Sequence, residues 1–357
     1  MPDEQSLPAA RPESPQSPLQ VTLRWLLALS GLGLFVYLVG NSGITLELLG
    51  RLGWQGFGLL LLIAAANQIF DTAGWFYAVR HLARPDAVSL FALRVAGDSL
   101  TNALPGGVVL GETYKAAMMR RLYGVSIADN AATLLTAKFG LAFSQAVFIL
   151  GGLSLSYGAL RDRGPLVLGV NGAELIALAI TVGFALLLGF PALMMARGHA
   201  FGGTAAALRR LPIPPLRRAL ERSRSRIEVL DRACTQVLRG NRRNLLLTFV
   251  FCLCGWLVAV LESYVLLRGL GLSESLRVAF IMESVGSIFR MIFFFVPSGI
   301  GAQDASFVAL FKLYGFPGPA AGAFVLLKRC KELVWIGVGF VLLLVLRRRA
   351  GRLAATT

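Results

Sequence analysis

Long apolar stretches separated by short polar ones set the pattern of this chain. A membrane-crossing helix takes about 20 predominantly apolar residues. Six stretches have that character, 23–40, 56–79, 131–153, 167–195, 245–267 and 320–346, and each predicts a span. Arg24 and Trp25 stand at the start of the first as an interfacial anchor. Two further stretches, 89–121 and 275–316, are apolar enough for the membrane but break in the middle, at Pro105-Gly106-Gly107 and at Pro297-Ser298-Gly299. Proline removes a backbone donor and glycine frees the backbone. In hydrocarbon such a break survives only where protein or a water-filled cavity satisfies the freed groups. Both stretches therefore read as hairpins of two half-helices meeting near mid-membrane. The predicted fold is all-α, a polytopic integral membrane protein with about six to eight helices plus two broken re-entrant hairpins.

The two hairpins read as copies. Pro105 is followed seven residues later by Glu112 and then by Leu122-Tyr123-Gly124; Pro297 is followed seven residues later by Asp304 and then by Leu313-Tyr314-Gly315. Lys138 falls fourteen residues after Gly124, and Arg329 fourteen after Gly315. The repeat unit is span, broken hairpin, span, with repeat one at about 54–155 and repeat two at about 244–347. Together, residues 21–347 form one transmembrane domain. Residues 1–20, rich in Pro, Ser and Gln with both charge signs, read as a disordered tail and not as a signal peptide. Residues 348–357 read as a basic C-terminal tail.

Composition sharpens this picture. The length of 357 residues alone would suggest about two soluble domains. A chain that is 56% hydrophobic and 15% charged, with mean hydropathy +0.68, excludes them. The net charge of +16 would suggest nucleic acid in a soluble protein, but its location argues otherwise. Segment 197–243 holds twelve arginines against three carboxylates, and Arg347, Arg348, Arg349 and Arg352 add four more charges. Thirteen of the sixteen excess charges thus sit in one loop and one tail, which is the positive-inside pattern. The expected location is the bacterial cytoplasmic (inner) membrane, multi-pass, with loop 197–243 and both termini cytoplasmic. On that topology the first hairpin opens inward, the second outward, and the repeats are inverted, as in alternating-access transporters. Lys115, Arg120 and Arg121 then fall on the cytoplasmic side. Nucleic acid is excluded as a partner.

Ionisable groups inside apolar segments are costly and mark function by default. The first hairpin and the following span hold Arg94, Asp98, Glu112, Lys115 and Lys138; the second set is Glu283, Arg290, Asp304, Lys312, Lys328, Arg329, Lys331 and Glu332. Eight cations thus face five carboxylates. Arg94, Lys138, Arg290, Lys328 and Arg329 are expected to hold an anionic lipid head group, because ammonium and guanidinium groups bind phosphate oxygens. Glu112 and Asp304 would balance the cations, or take and release protons during transport, and Glu332 completes the expected substrate-binding set. The half-helix N-termini that follow the breaks at Pro105 and Pro297 would add backbone donors at Gly106 and Gly107, and at Gly299 and Gly301. The competing reading is that Glu112 pairs with Lys138, and Asp304 with Arg329, to pin the hairpins. Asp71, Glu174 and Glu262, lone carboxylates in spans, read as helix-packing or interfacial groups. Trp54, Trp256 and Trp335 read equally as interfacial or packing residues. Four cysteines lack any CxxC or metal spacing, and no HExxH, phosphate loop or nucleophile–base set occurs, so no metal, cofactor or enzyme activity is expected.

Three motifs carry a family resemblance. Pro-Gly-Gly-x-x-x-Gly-Glu (105–112), Pro-Ser-Gly-Ile-Gly-Ala-Gln-Asp-Ala (297–305) and Lys-Arg-Cys-Lys-Glu-Leu-Val-Trp (328–335) resemble those of the lysylphosphatidylglycerol synthase transmembrane region, or flippase-like domain. The resemblance covers about residues 20–350 and departs from the pattern at Ser298 for glycine, Asp304 for glutamate and Lys138 for arginine. It implies a stand-alone member without the aminoacyl transferase domain, and so without lysyl transfer. The implied function is a flippase or transporter of an anionic phospholipid or a polyprenyl- or isoprenoid-linked lipid. The alternatives are an accessory subunit of a lipid-glycosylation or hopanoid pathway, with enzymes of that pathway as partners, or an intramembrane transferase.

Overall fold

The computed structural model describes residues 18–80, 85–105, 107–125, 127–168, 179, 182–183, 221, 242–272, 275–293 and 296–356. Among them are nine α-helices and no strand. They are α1 (Pro18–Gly40), α2 (Leu46–Val79), α3 (Ala87–Ala103), α4 (Gly107–Tyr123), α5 (Ile127–Leu168), α6 (Arg242–Gly269), α7 (Leu276–Ile292), α8 (Ala302–Leu313) and α9 (Gly318–Thr356). Among the described residues, three apolar stretches are long enough to cross a membrane, Glu47–Val79, Gly140–Asp162 and Arg242–Gly269, and Trp25–Gly40 is a shorter apolar helix. Apart from isolated positions, the fourth predicted span and the basic loop lie outside the described residues, as do residues 1–17. α1 begins at Pro18, inside the expected tail, and α9 continues as helix through the basic C-terminus.

The hairpins form where the sequence breaks. Asp86 starts α3 by accepting the Ser89 N–H at 2.7 Å, which holds its carboxyl below the usual carboxylate range. Tyr123, the last residue of α4, donates its hydroxyl to the same Asp86 at 3.1 Å and closes the base of the first hairpin. At its tip Gly107 lies so close to α3 that a Cβ there would overlap the carbonyl oxygen of Leu100. The second tip is a 3-10 turn, Pro297–Gly299, with Ser298 at φ 53° in the left-handed region. The tips touch: Ser298 Oγ donates to the Asn102 carbonyl at 3.2 Å. The two half-helices of 17 residues in the first hairpin are each about 25 Å long, while α8 has only 12 residues.

Contacts between the repeats show how they are related. α2 and α6, the first helices of the two units, run antiparallel along their length: Leu52 meets Gly269, Asn67 Nδ2 donates to the Gly255 carbonyl at 2.6 Å, and Thr248 Oγ1 donates to the Gly74 carbonyl at 3.0 Å. Equivalent helices that run antiparallel make the two units an inverted repeat. The exchange extends to the hairpins. α3 packs on α9, where Ser99 lies against Gly339, and α7 packs on α5, where Ser284 lies against Gly152. Serine against glycine lets backbones approach closely where apolar burial gives little drive between helices. Two large apolar cores result, with a small cluster of Ile149, Leu153 and Ile288 between α5 and α7. One gathers Trp75, Leu90, Leu93, Met119 and Leu343 around the first hairpin; the other gathers Phe148, Phe307, Phe311 and Phe324 around the second. Leu62, Leu333 and Val341 face outward and are more than half exposed, as a lipid-facing surface requires.

Candidate functional site

A cavity of about 340 Å³ lies between the repeats. Its walls come from the middle of α2 and α6, the tip-side halves of α3 and α7, the start of α8, and α5 and α9. Arg94, Lys138, Arg290, Asp304, Lys328, Arg329 and Glu332 of the expected site line it. Glu112 lies in an adjoining pocket of about 40 Å³ that shares Asp71, Arg94, Asp98 and Lys138 with the main cavity. Trp256 and Trp335 also face the cavity, whereas Trp54 is 90% exposed beside the kink at Gly53.

The charges are organised as ion-pair chains. In the first repeat the chain runs Asp71–Arg94 at 2.9 Å, Arg94–Asp98 at 3.3 Å, Asp98–Lys115 at 2.6 Å, Lys115–Glu112 at 3.2 Å and Glu112–Lys138 at 2.8 Å. In the second repeat there are two chains. Lys331–Glu262 at 2.8 Å continues through Lys328, 3.2 Å from Glu262 and 2.6 Å from Glu283. Glu283 also accepts the Ser263 hydroxyl. Asp304–Arg329 at 2.7 Å continues to Glu332 at 2.5 Å and on to Arg290 at 2.9 Å. Seven cations meet seven carboxylates, so the set is neutral. A buried charge requires a partner in a low-dielectric interior, and every member here has one.

This changes the sequence reading in four places. Asp71 and Glu262 are not bland packing groups; they belong to the chains. Lys115, expected among the charges that trail the first hairpin, is buried at 4% exposure between Asp98 and Glu112. Lys312 is exposed at the end of α8, outside the cavity. The hairpin glycines and prolines do not line the cavity among the described residues. The glycine N–H donors are used locally instead. Gly107 N–H bonds Leu104 O, Gly299 N–H bonds Val296 O, and Gly301 N–H bonds the Asp304 carboxylate at 2.8 Å. Gly106 and Glu174 lie outside the described residues. Both expected pairs, Glu112–Lys138 and Asp304–Arg329, are formed.

Position along the repeat could have found the two missed carboxylates. Asp71 and Glu262 are 191 residues apart, the same offset as Lys138 and Arg329. They are the equivalent acids of α2 and α6.

The cations differ in reach. Arg94, Lys115, Lys328 and Arg329 have side chains at most 15% exposed, and Lys331 is at 20%. Lys138 is 48% exposed and Arg290 42%, and each ends its chain on a single carboxylate. The site is thus a neutral polar cavity inside an apolar shell, with one reachable cation from each repeat.

A polytopic helical membrane protein with inverted repeats around a buried ionic cavity is the class these features define. The model of the lysylphosphatidylglycerol synthase transmembrane region matches residues 21–340, nearly the whole chain, and the chain belongs to that family of lipid-related membrane proteins. Among curated proteins and among solved structures, nothing matches it.

Proposed function

We propose that the chain is a flippase, carrying the head group of an anionic phospholipid or polyprenyl-type lipid through the cavity between its repeats while the acyl or prenyl chains stay in the bilayer. The observation that supports this most is the pair of reachable cations. Lys138 and Arg290 stand at the ends of ion-pair chains, so a phosphate can take either one by displacing a single carboxylate. The buried chains behind them keep the cavity polar and preformed. Inverted repeats, related by a pseudo-two-fold axis, are the arrangement that alternating access uses. The bacterial inner membrane is the proposed location, with the basic loop and termini on the cytoplasmic side. No chemistry on the lipid is part of this reading.

The test is lipid translocation in proteoliposomes. Fluorescent phosphatidylglycerol should reach the opposite leaflet faster than in empty vesicles. The Lys138→Ala/Arg290→Ala double variant should lose at least tenfold of that rate, about 1.4 kcal/mol of barrier. Translocation by wild type no faster than in empty vesicles would sink the flippase reading and leave an accessory role.

A further inference from the structure

We infer that each anionic head group entering the cavity is accompanied by one proton, taken up by Glu112. This rests on the flippase reading above and names its coupling ion. Among the described residues the seven cations and seven carboxylates already balance, so an added phosphate charge has no spare partner there. When a phosphate takes Lys138, Glu112 keeps only Lys115, which is shared with Asp98 at 2.6 Å. An uncompensated carboxylate in a low-dielectric interior neutralises in preference to staying charged.

Three sources of positive charge could restore the balance. A metal ion is disfavoured because cations separate the carboxylates, and no three metal-binding side chains come together among the described residues. An ammonium carried by the lipid is disfavoured by space and charge. The pocket beside Glu112 holds about 40 Å³, room for water, and Arg94, Lys115 and Lys138 surround it. A proton fits both limits. Glu112 Oε1 holds both lysines, at 3.2 and 2.8 Å, while Oε2 is the only buried carboxylate oxygen without a hydrogen-bond partner among the described residues. Asp304, the equivalent acid of the second repeat, has no such vacancy. Its Oδ1 accepts from Arg329, and its Oδ2 accepts from Gly301 N–H and Arg329 Nε. Proton uptake is therefore assigned to the first repeat alone.

The groups facing Glu112 are Lys115 on its own helix, Arg94 and Asp98 on α3, and Lys138 on α5, with Asp71 of α2 and Cys252 of α6 in the same pocket. On the opposite face of α4, Tyr114 lies near Arg347 of α9. The step balances without covalent chemistry on the lipid. One proton from water makes the Glu112 carboxylate a carboxylic acid, and the Lys138 ammonium moves its ion pair to the phosphate. The cavity is neutral before and after.

The experiment uses the full chain in vesicles loaded with a pH-sensitive dye, with fluorescent phosphatidylglycerol as probe. Wild-type translocation should rise with falling pH, by up to about tenfold per unit for one coupled proton, and lipid movement should change the lumenal pH. Glu112→Gln should give a flat pH profile and no lumenal signal, at whatever rate it retains. Wild-type translocation that is indifferent to pH, with no proton movement, overturns the coupling while the flippase reading stands. A pH-independent wild type that moves phosphatidylethanolamine but not phosphatidylglycerol also overturns it, because the lipid then supplies its own positive charge. No wild-type movement of either lipid at any pH overturns the underlying reading instead.

Discussion

The same ion pair occurs twice in this molecule under opposite conditions. Glu112–Lys138 and Asp304–Arg329 join equivalent half-helices to equivalent following helices, at 2.8 and 2.7 Å. The first pair is 23% and 48% exposed; the second is 1% and 8%. Surroundings explain the difference. Asp304 caps the first turn of α8, and Arg329 grips it through Nε and Nη2 while Nη1 holds the Ser298 carbonyl and Glu332. Gly31 of α1 packs against Ile300 and Gly301 and covers that tip. Glu112 and Lys138 are joined by one oxygen and one ammonium. Two equivalent positions thus hold different pairs, one a fixed joint and the other open to exchange.

The comparison breaks most visibly at the fixed joint. Arg329→Ala leaves Asp304 buried without its cation and should cost about 3–5 kcal/mol of stability, because a lone buried charge loses both partner and solvent. Thermal unfolding of the detergent-purified protein measures this. A variant as stable as wild type would mean that the second pair is as free as the first. Removing both charges, as Asp304→Ala with Arg329→Ala, should recover part of the loss, since neither charge is then stranded.

A smaller effect is expected where the first hairpin is held by backbone proximity. Gly107→Val places a side chain where the Leu100 and Thr101 carbonyls already lie, so α4 must shift off α3. Overpacking of this kind costs about 1–3 kcal/mol. Cysteine cross-linking between the tips, near Asn102 and Ser298, should weaken in the variant, because those residues bond each other only while both tips are seated. Unchanged cross-linking would show that the first tip does not depend on this contact.

The hairpins, their breaks and the equivalence of Glu112 with Asp304 were legible because the duplication prints each feature twice at a nearly constant offset. The ion-pair chains were legible only in part. Lys115 sits one turn beyond Glu112, toward Arg120 and Arg121, and its position in sequence resembles a cytoplasmic helix end. Only the fold brings Asp98 of α3 to it and buries its stem against Gly97. Lys328 is equally hidden: it has no charged counterpart at the repeat offset, and its partners Glu262 and Glu283 come from two other helices. The backbone donors of the hairpin tips were misplaced for a different reason. A Pro-Gly break shows that backbone groups are freed, but which side chain or carbonyl satisfies them is a matter of packing.

The smallest stability effect separates the two pairs most sharply. Lys138→Ala removes a half-exposed ammonium, and Glu112, left with its share of Lys115, can neutralise by taking up a proton, so the loss should be at most about 1 kcal/mol. On the flippase reading the same substitution removes one of two reachable cations, so translocation of phosphatidylglycerol should fall well below wild type while the melting temperature barely moves. Lys138→Arg restores the charge and should restore translocation. If Lys138→Ala instead destabilises as much as Arg329→Ala, both pairs are joints, and the difference in exposure carries no functional meaning.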